Sequence, residues 1–133
     1  NILFNGYRRD VNKAGLPTYS GIYIVYRCTF NEEKQTVSLK ELLYIGQAKN
    51  IQERISTHDK RQEFMNALNG DEQICYSYAE VKEQDLNIVE NALVYAQKPR
   101  LNKDLVDSYK YEPAQFNIEG KCSLLNYTNF SIE

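Results

Sequence analysis

The sequence predicts an α+β domain: a small, mainly antiparallel three-stranded sheet flanked by helices, with a C-terminal β-hairpin tail. Two observations carry this expectation. "GIYIVYRCT" and "LLYIG" are rich in β-branched and aromatic residues and are joined only by a polar stretch, the pattern of an antiparallel pair. Later segments space their apolar residues three and four apart, the period of an amphipathic helix. The order β-β-α-α-β-α, then a tail, lays helices on a mainly antiparallel sheet. The 133 residues suit one ordinary domain. They divide into an arm over 1–18, a core over 19–105 and a C-terminal extension over 106–133.

In chain order, residues 1–18 are polar, run into "GLPTYS" at residues 15–20, and read as an irregular entry with room for one short helix. Residues 21–29 form the first strand. "FNEEKQTVSLKE" follows as a long polar connection, and "LLYIG" is the second strand, ending at Gly46. Asn50 is a good N-cap, with Glu53 at the acidic position of a capping box, and Ile51 and Ile55 give that helix its apolar edge. "KRQEFMNALNG" is a second helical piece stopped by Gly70. "EQICYSYAEV" alternates Ile74, Tyr76 and Tyr78 as a third strand. "EQDLNIVENALVYAQKP" is the strongest helix, with a stripe of Leu86, Val89, Leu93 and Ala96, closed by Pro99. "FNIEGKCSLL" reads as a short hairpin turning at Glu119–Gly120.

Composition narrows the function classes. A net charge of −2 argues against a general nucleic-acid coat, though it leaves room for a local basic groove. No apolar run approaches the ~18 residues of a spanning helix, so no membrane partner is expected. "NILFNGYRRD" lacks the order of a signal peptide, and the expected compartment is cytoplasmic. The chain begins at Asn1 rather than Met, as an excised or trimmed piece would. Cys28, Cys75 and Cys122 are widely spaced and odd in number, which favours buried reduced thiols over a zinc site or disulfide framework. "NYT" at Asn126 and "NFS" at Asn129 fit the glycosylation pattern without a secretion signal beside them.

The helix after "LLYIG" carries Arg54 and the only histidine, His58, four residues apart and therefore on one face. Lys49 stands at its entrance, where free N–H groups favour anions. A phosphate site and a solvated polar face both fit this pattern. Glu90 falls at the border of the apolar arc of its helix, where a carboxylate is partly desolvated unless paired. It is either a salt-bridge partner, with Arg54 as the natural mate, or a Mg²⁺ ligand of the kind that completes its octahedron with water and phosphate. Tyr23 and Tyr44 are core residues by default. As phenols they enter proton transfer only with help from a cation or base.

"GIY" at 21–23 and "YIG" at 44–46, with "YIGQAKNIQERI" and "VENALVYAQKPRLN", resemble the GIY-YIG nuclease superfamily and its excision-repair branch. The resemblance spans roughly Ser20 to Asn102, and its five spaced elements (GIY, YIG, Arg54, Glu90, Asn102) agree in order. It implies a DNA endonuclease using Mg²⁺ or Mn²⁺, with RNA as an alternative substrate. Tyr23 and Tyr44 would be the family tyrosines, one of them deprotonating the attacking water. Arg54 would stabilise charge on the scissile phosphate. His58 would polarise a tyrosine or relay its proton, Glu90 would bind the metal, and Asn102 would hold the site in shape. Lys49 matches a lysine of the repair branch, and Lys49, Lys60, Arg61, Lys98, Arg100 and Lys103 would contact the nucleic-acid backbone.

Two features depart from the family pattern. Residues 24–43 form a longer gap between GIY and YIG than is usual, which makes "FNEEKQTVSLKE" an extended hairpin connection or a small insertion, acidic at Glu32–Glu33 and fit to bar DNA from one side or to meet a partner. The overall acidity is also unusual for a free-standing nuclease. Specificity would come from a homodimer, a separate specificity domain, or the long connection and tail. A non-cleaving nucleic-acid-binding or protein-interaction module with the same fold is the reading from another class. An enzyme acting on another phosphate ester is a third, which no residue favours.

Overall fold

A computed structural model describes all of residues 1–133. It is α+β, but the expected three-stranded sheet is a six-stranded, mixed and strongly curled half-barrel. The strands are β1 (Ile2–Arg9), β2 (Gly21–Asn31), β3 (Thr36–Ala48), β4 (Gln73–Glu80), β5 (Ala114–Gly120) and β6 (Asn129–Ile132). The helices are α1 (Ile51–Ser56), α2 (Arg61–Asn66) and α3 (Leu86–Gln97), with 3-10 turns at Asp10–Gly15 and Glu83–Asp85. The sheet order is β3-β2-β4-β1-β5-β6, antiparallel throughout except for the parallel β1–β5 pair.

Three corrections enlarge the sheet. The supposed arm contains β1, whose Ile2 and Phe4 are buried while Leu3 is exposed, the alternation of a strand covered on one face. The supposed loop "FNEEKQTVSLKE" is strand on both sides of a tight turn at residues 32–35. Asn31 accepts from Lys34 N at 3.0 Å, and Gln35 takes a left-handed φ of 53°. The tail hairpin is real but lies elsewhere: β5 pairs with β6 from Ala114↔Ile132 to Asn117↔Asn129. Gly120 does not make its turn. A Cβ there would sit 2.1 Å from Phe4 O, so this glycine allows β5 to close on β1.

Both faces of the sheet are covered, which explains why β2 reads as a near-continuous apolar run. Ile22, Ile24, Tyr26 and Cys28 join Ala92, Leu93 and Val94 of α3 in one core. Tyr23 and Val25, of opposite parity, join Ile51, Ile55 and Phe64 of α1 and α2 in the other. Asn50 caps α1 as expected, accepting from Glu53 N at 3.0 Å. α3 ends at Lys98, in a left-handed C-terminal position with φ 48°, before Pro99. Two buried amides on α3 tie down the extension. Asn91 donates to Leu105 O and Ser108 O, and Gln97 bonds both backbone groups of Tyr127. The three cysteines are buried and free. No helix is long and apolar enough to cross a membrane.

Candidate active site

The site lies at the free edge of β3, where a register irregularity reshapes the strand. Val25 pairs with Tyr44 and Tyr26 with Leu42, so Leu43 is the extra residue of a bulge. Leu43 and Tyr44 therefore both pack with α1 and α2, whereas strict alternation would have separated them. The outer backbone of this stretch is sealed from the loop after α3. Leu101 N donates to Leu43 O, and the Asn102 side chain bonds both Ile45 N and Ile45 O at 2.9 Å. Asn102 thus occupies the place of a neighbouring strand and fixes the "YIG" segment.

Gly46 serves the site through the space it leaves. Its β2 partner is Tyr23, and a Cβ at position 46 would lie 2.4 Å from the Tyr23 Oη and Cζ atoms. The phenol crosses β3 through this gap and meets His58 Nε2 at 2.6 Å; α1 ends at Ser56, so His58 lies in the loop beyond it and not on the helix face expected to carry it with Arg54. The other ring nitrogen, Nδ1, accepts from Lys60 N at 3.1 Å. A neutral imidazole with that bond carries its proton on Nε2 and donates it to Tyr23. His58 is therefore set to polarise the phenol and is not free to take its proton. Gly46→Ala is expected to push the phenol away and break this bond. Because His58 is the only histidine, its two imidazole ¹⁵N resonances read the change directly, and unchanged shifts would refute the account.

Tyr23, Tyr44, His58 and Phe64 form an aromatic box. The Tyr23 and Tyr44 rings stack with centroids 6.3 Å apart, and His58 stands edge-on to both at 5.7 and 5.5 Å. Phe64 closes the box 5.0 Å from His58. Burial pushes the Tyr23 phenol far above its usual pKa, with Tyr44 adding and the Arg54 guanidinium opposing. Tyr44 is pushed up to about 12 by burial and then Glu90, again opposed by Arg54. His58 is depressed to about 4 by burial, then by Arg54, with Asp59 opposing and Lys60 adding. Its proton is thus bound less tightly in the folded chain. The stability linked to His58 is fully present above about pH 6.5 and is lost as pH falls toward 4. Thermal melts should drop over that window, and His58→Gln should flatten that part of the profile; an identical slope in the variant would count against this origin.

Arg54 borders the box, with its Nη2 2.9 Å from Asp59, a carboxylate that is 74% exposed. Glu90 approaches from α3 on the opposite face of the sheet. It makes no ion pair with Arg54. Instead Gln47 Nε2 donates to Glu90 Oε1 at 3.0 Å and to Asn87 Oδ1 at 2.7 Å. Burial raises the Glu90 carboxyl above its ordinary pKa, with the Gln47 bond and Arg54 opposing. A half-buried carboxylate with one oxygen oriented by an amide suits a hard divalent cation. No three His, Cys, Asp or Glu side chains converge to hold a metal. An ion at Glu90 would complete its shell with water and substrate phosphate.

The structure thus brings Tyr23, Tyr44, Arg54, His58 and Glu90 to one strand edge, with Asn102 behind it. The basic residues fare differently. Lys60 Nζ lies 6.0 Å from the Tyr44 ring centroid. Lys49 stands 3.8 Å from Glu83, both well exposed. Arg61 grips both oxygens of Asp10, which also accepts from Tyr76. Arg100 grips Glu41, whose pKa is held at about 2 by Arg100 first and Arg27 next, against burial. Lys98 bonds Val106 O, and Lys103 is exposed. Gln47, Asn87 and Asp59 were not among the expected site residues, and Phe64 was expected only as the apolar side of its helix. Gln47 was within reach of the sequence, because two residues past Ile45 it turns to the face that α3 covers.

The chain matches no protein-family model, no curated protein and no solved structure. The resemblance to GIY-YIG nucleases is therefore carried by the sequence motifs alone.

Proposed function

We propose that this chain is an endonuclease of GIY-YIG type that hydrolyses DNA phosphodiester bonds with Mg²⁺ or Mn²⁺ held at Glu90. The observation carrying this reading is the convergence, at one strand edge, of the 2.6 Å Tyr23–His58 pair, Tyr44, Arg54 and an amide-oriented Glu90. Packing alone has no use for a buried histidine hydrogen-bonded to a buried phenol beside a guanidinium and a half-buried carboxylate. RNA is the alternative substrate. A second copy of the chain or a separate specificity domain would supply the selection of a target.

In this reading the scissile phosphate docks against Arg54, which leaves Asp59 to neutralise charge developing on the phosphoryl oxygens. A divalent cation held at Glu90 would supply Lewis-acid polarisation of the same group. Water is the nucleophile, and a phenol takes its proton. Tyr44 suits that step better than Tyr23, because it is less buried and its pKa less raised, while Arg54 and incoming positive charge favour its ionised form. Tyr23, fixed by the Nε2–H of His58, keeps its own O–H free to orient the water or the phosphate. Asn102 holds β3, and with it Tyr44 and Gly46, in register.

The test is supercoiled plasmid incubated with the purified chain, with and without Mg²⁺ or Mn²⁺, beside its Glu90→Ala variant. Metal-dependent nicking that the variant loses supports the proposal. Oligonucleotide binding without nicking in any metal would instead indicate a non-cleaving module.

A further inference from the structure

The chain has six arginines, and their pairing is uneven. Arg27, Arg54, Arg61 and Arg100 each hold a carboxylate. Arg8 and Arg9, adjacent on β1, hold none. Both line an open groove with Lys121, Tyr7, Tyr78 and Asn12, and no acidic side chain lines it. Arg8 is short of acceptors: its Nε is buried without a partner, and Nη1 finds only Asn12 O at 3.5 Å. A buried guanidinium nitrogen left unpaired is costly and calls for an explanation. The Arg9 guanidinium carbon sits over the Phe30 ring, 3.6 Å from its centroid, with Nη1 donating to Gln73 Oε1 at 3.2 Å. Its guanidinium is thus held in place without being neutralised. Lys121 is brought alongside by the β1–β5 pairing, its N–H donating to Phe4 O.

We infer that this groove binds the phosphodiester backbone of a nucleic-acid strand, as a second contact surface beyond the residues around Glu90. Three cations without a counter-charge, lining one groove that holds no acidic side chain, fit the repeated anionic oxygens of such a backbone. The charge pairing supports this choice: Arg61 and Arg100, which the sequence singled out as backbone contacts, are committed to Asp10 and Glu41, whereas Arg8, Arg9 and Lys121 are available. The groove also adjoins the strand system of the site, since Tyr78 on its wall is the β4 partner of Tyr23. A neighbouring hollow carrying Glu32, Glu33 and Asp71 shares Phe30 and Thr36 with the groove. That acidic margin would repel a polyanion and confine it to the β1 side.

The inference rests on the nuclease reading for its substrate class, but its test does not require cleavage. Binding of a labelled duplex oligonucleotide is measured by fluorescence anisotropy in EDTA across a salt series. The wild-type chain is compared with Arg8→Gln/Arg9→Gln/Lys121→Gln, and with Lys121→Glu alone. Lys121 is exposed, so the single variant keeps the test interpretable if the triple variant folds poorly. Each lost phosphate contact should lower the slope of log K against log salt by about one, with weakening that is uniform across sequences. Equal affinity and slope in all three proteins would overturn the inference, as would a wild-type chain that binds no oligonucleotide. Unchanged oligonucleotide binding, with inorganic phosphate shifting the Arg9 guanidinium resonances, would give the groove to a free phosphate and overturn the nucleic-acid assignment. A wild-type chain that binds through the groove but never nicks plasmid would sink the nuclease reading alone.

Discussion

Alanine at Glu90 should abolish metal-dependent nicking and leave the fold standing. Glu90 is half-buried and oriented by Gln47 at 3.0 Å, and, unlike Glu41 on the same edge strand, it is not neutralised by an arginine. Its pKa is raised by burial, so the folded chain holds the charged form at a cost. Removing that charge should leave the melting temperature near its wild-type value, or raise it. Lost activity could then not be blamed on unfolding. Glu90→Gln sharpens the result: it keeps the shape and a partner for Gln47 but removes the anionic oxygen a hard cation needs. If both variants nick plasmid with unchanged Mg²⁺ dependence, Glu90 is not the ligand and the one-metal reading falls.

The elements that position the candidate site were legible in the sequence because their patterns are local. β2 and β4 announce themselves by β-branched and aromatic content, α3 by its apolar stripe, and α1 by the Asn50 cap. The size of the sheet was not legible, because its added strands depend on distant pairings. β1 is specified by β4 and by β5, where Ile2 lies opposite Ile118. The hairpin was expected, but that its strands run on to Asn31 and Thr36 was missed for a different reason. "TVSLK" alternates apolar and polar residues as an edge strand does, but its polar content suggested a loop. Gly120 misled because a glycine in a polar tail suggests a turn, whereas here it relieves a backbone contact.

The candidate site divides in the same way. Motif order singled out Tyr23, Tyr44, Arg54, His58, Glu90 and Asn102. It could not reveal that a bulge at Leu43 turns Tyr44 toward α1, or that Tyr23 passes through the space above Gly46. Nor could it foresee which basic side chains were already neutralised. Arg61 finds Asp10 51 positions away and Arg100 finds Glu41 59 positions away, separations at which charge patterning along the chain carries no information.

Arg54→Ala tests the other half of the mechanism and should be nearly inactive. A preorganised cation aimed at developing oxyanion charge is worth about 10²-fold or more in rate. Arg54 meets that description: it borders the box, its field reaches Tyr23, Tyr44 and Glu90, and its partner Asp59 is a solvent-exposed carboxylate that a phosphate can displace. Because that pair is exposed and screened, its loss should cost little stability. Arg54→Lys should recover only part of the activity, since an ammonium cannot present two parallel N–H groups to a phosphate. The defect should appear in single-turnover rate at saturating protein, which separates charge stabilisation from weakened binding. A near-normal single-turnover rate in Arg54→Ala would mean that the guanidinium serves only to hold Asp59 and the His58 loop, and the site would lose its charge-stabilising group.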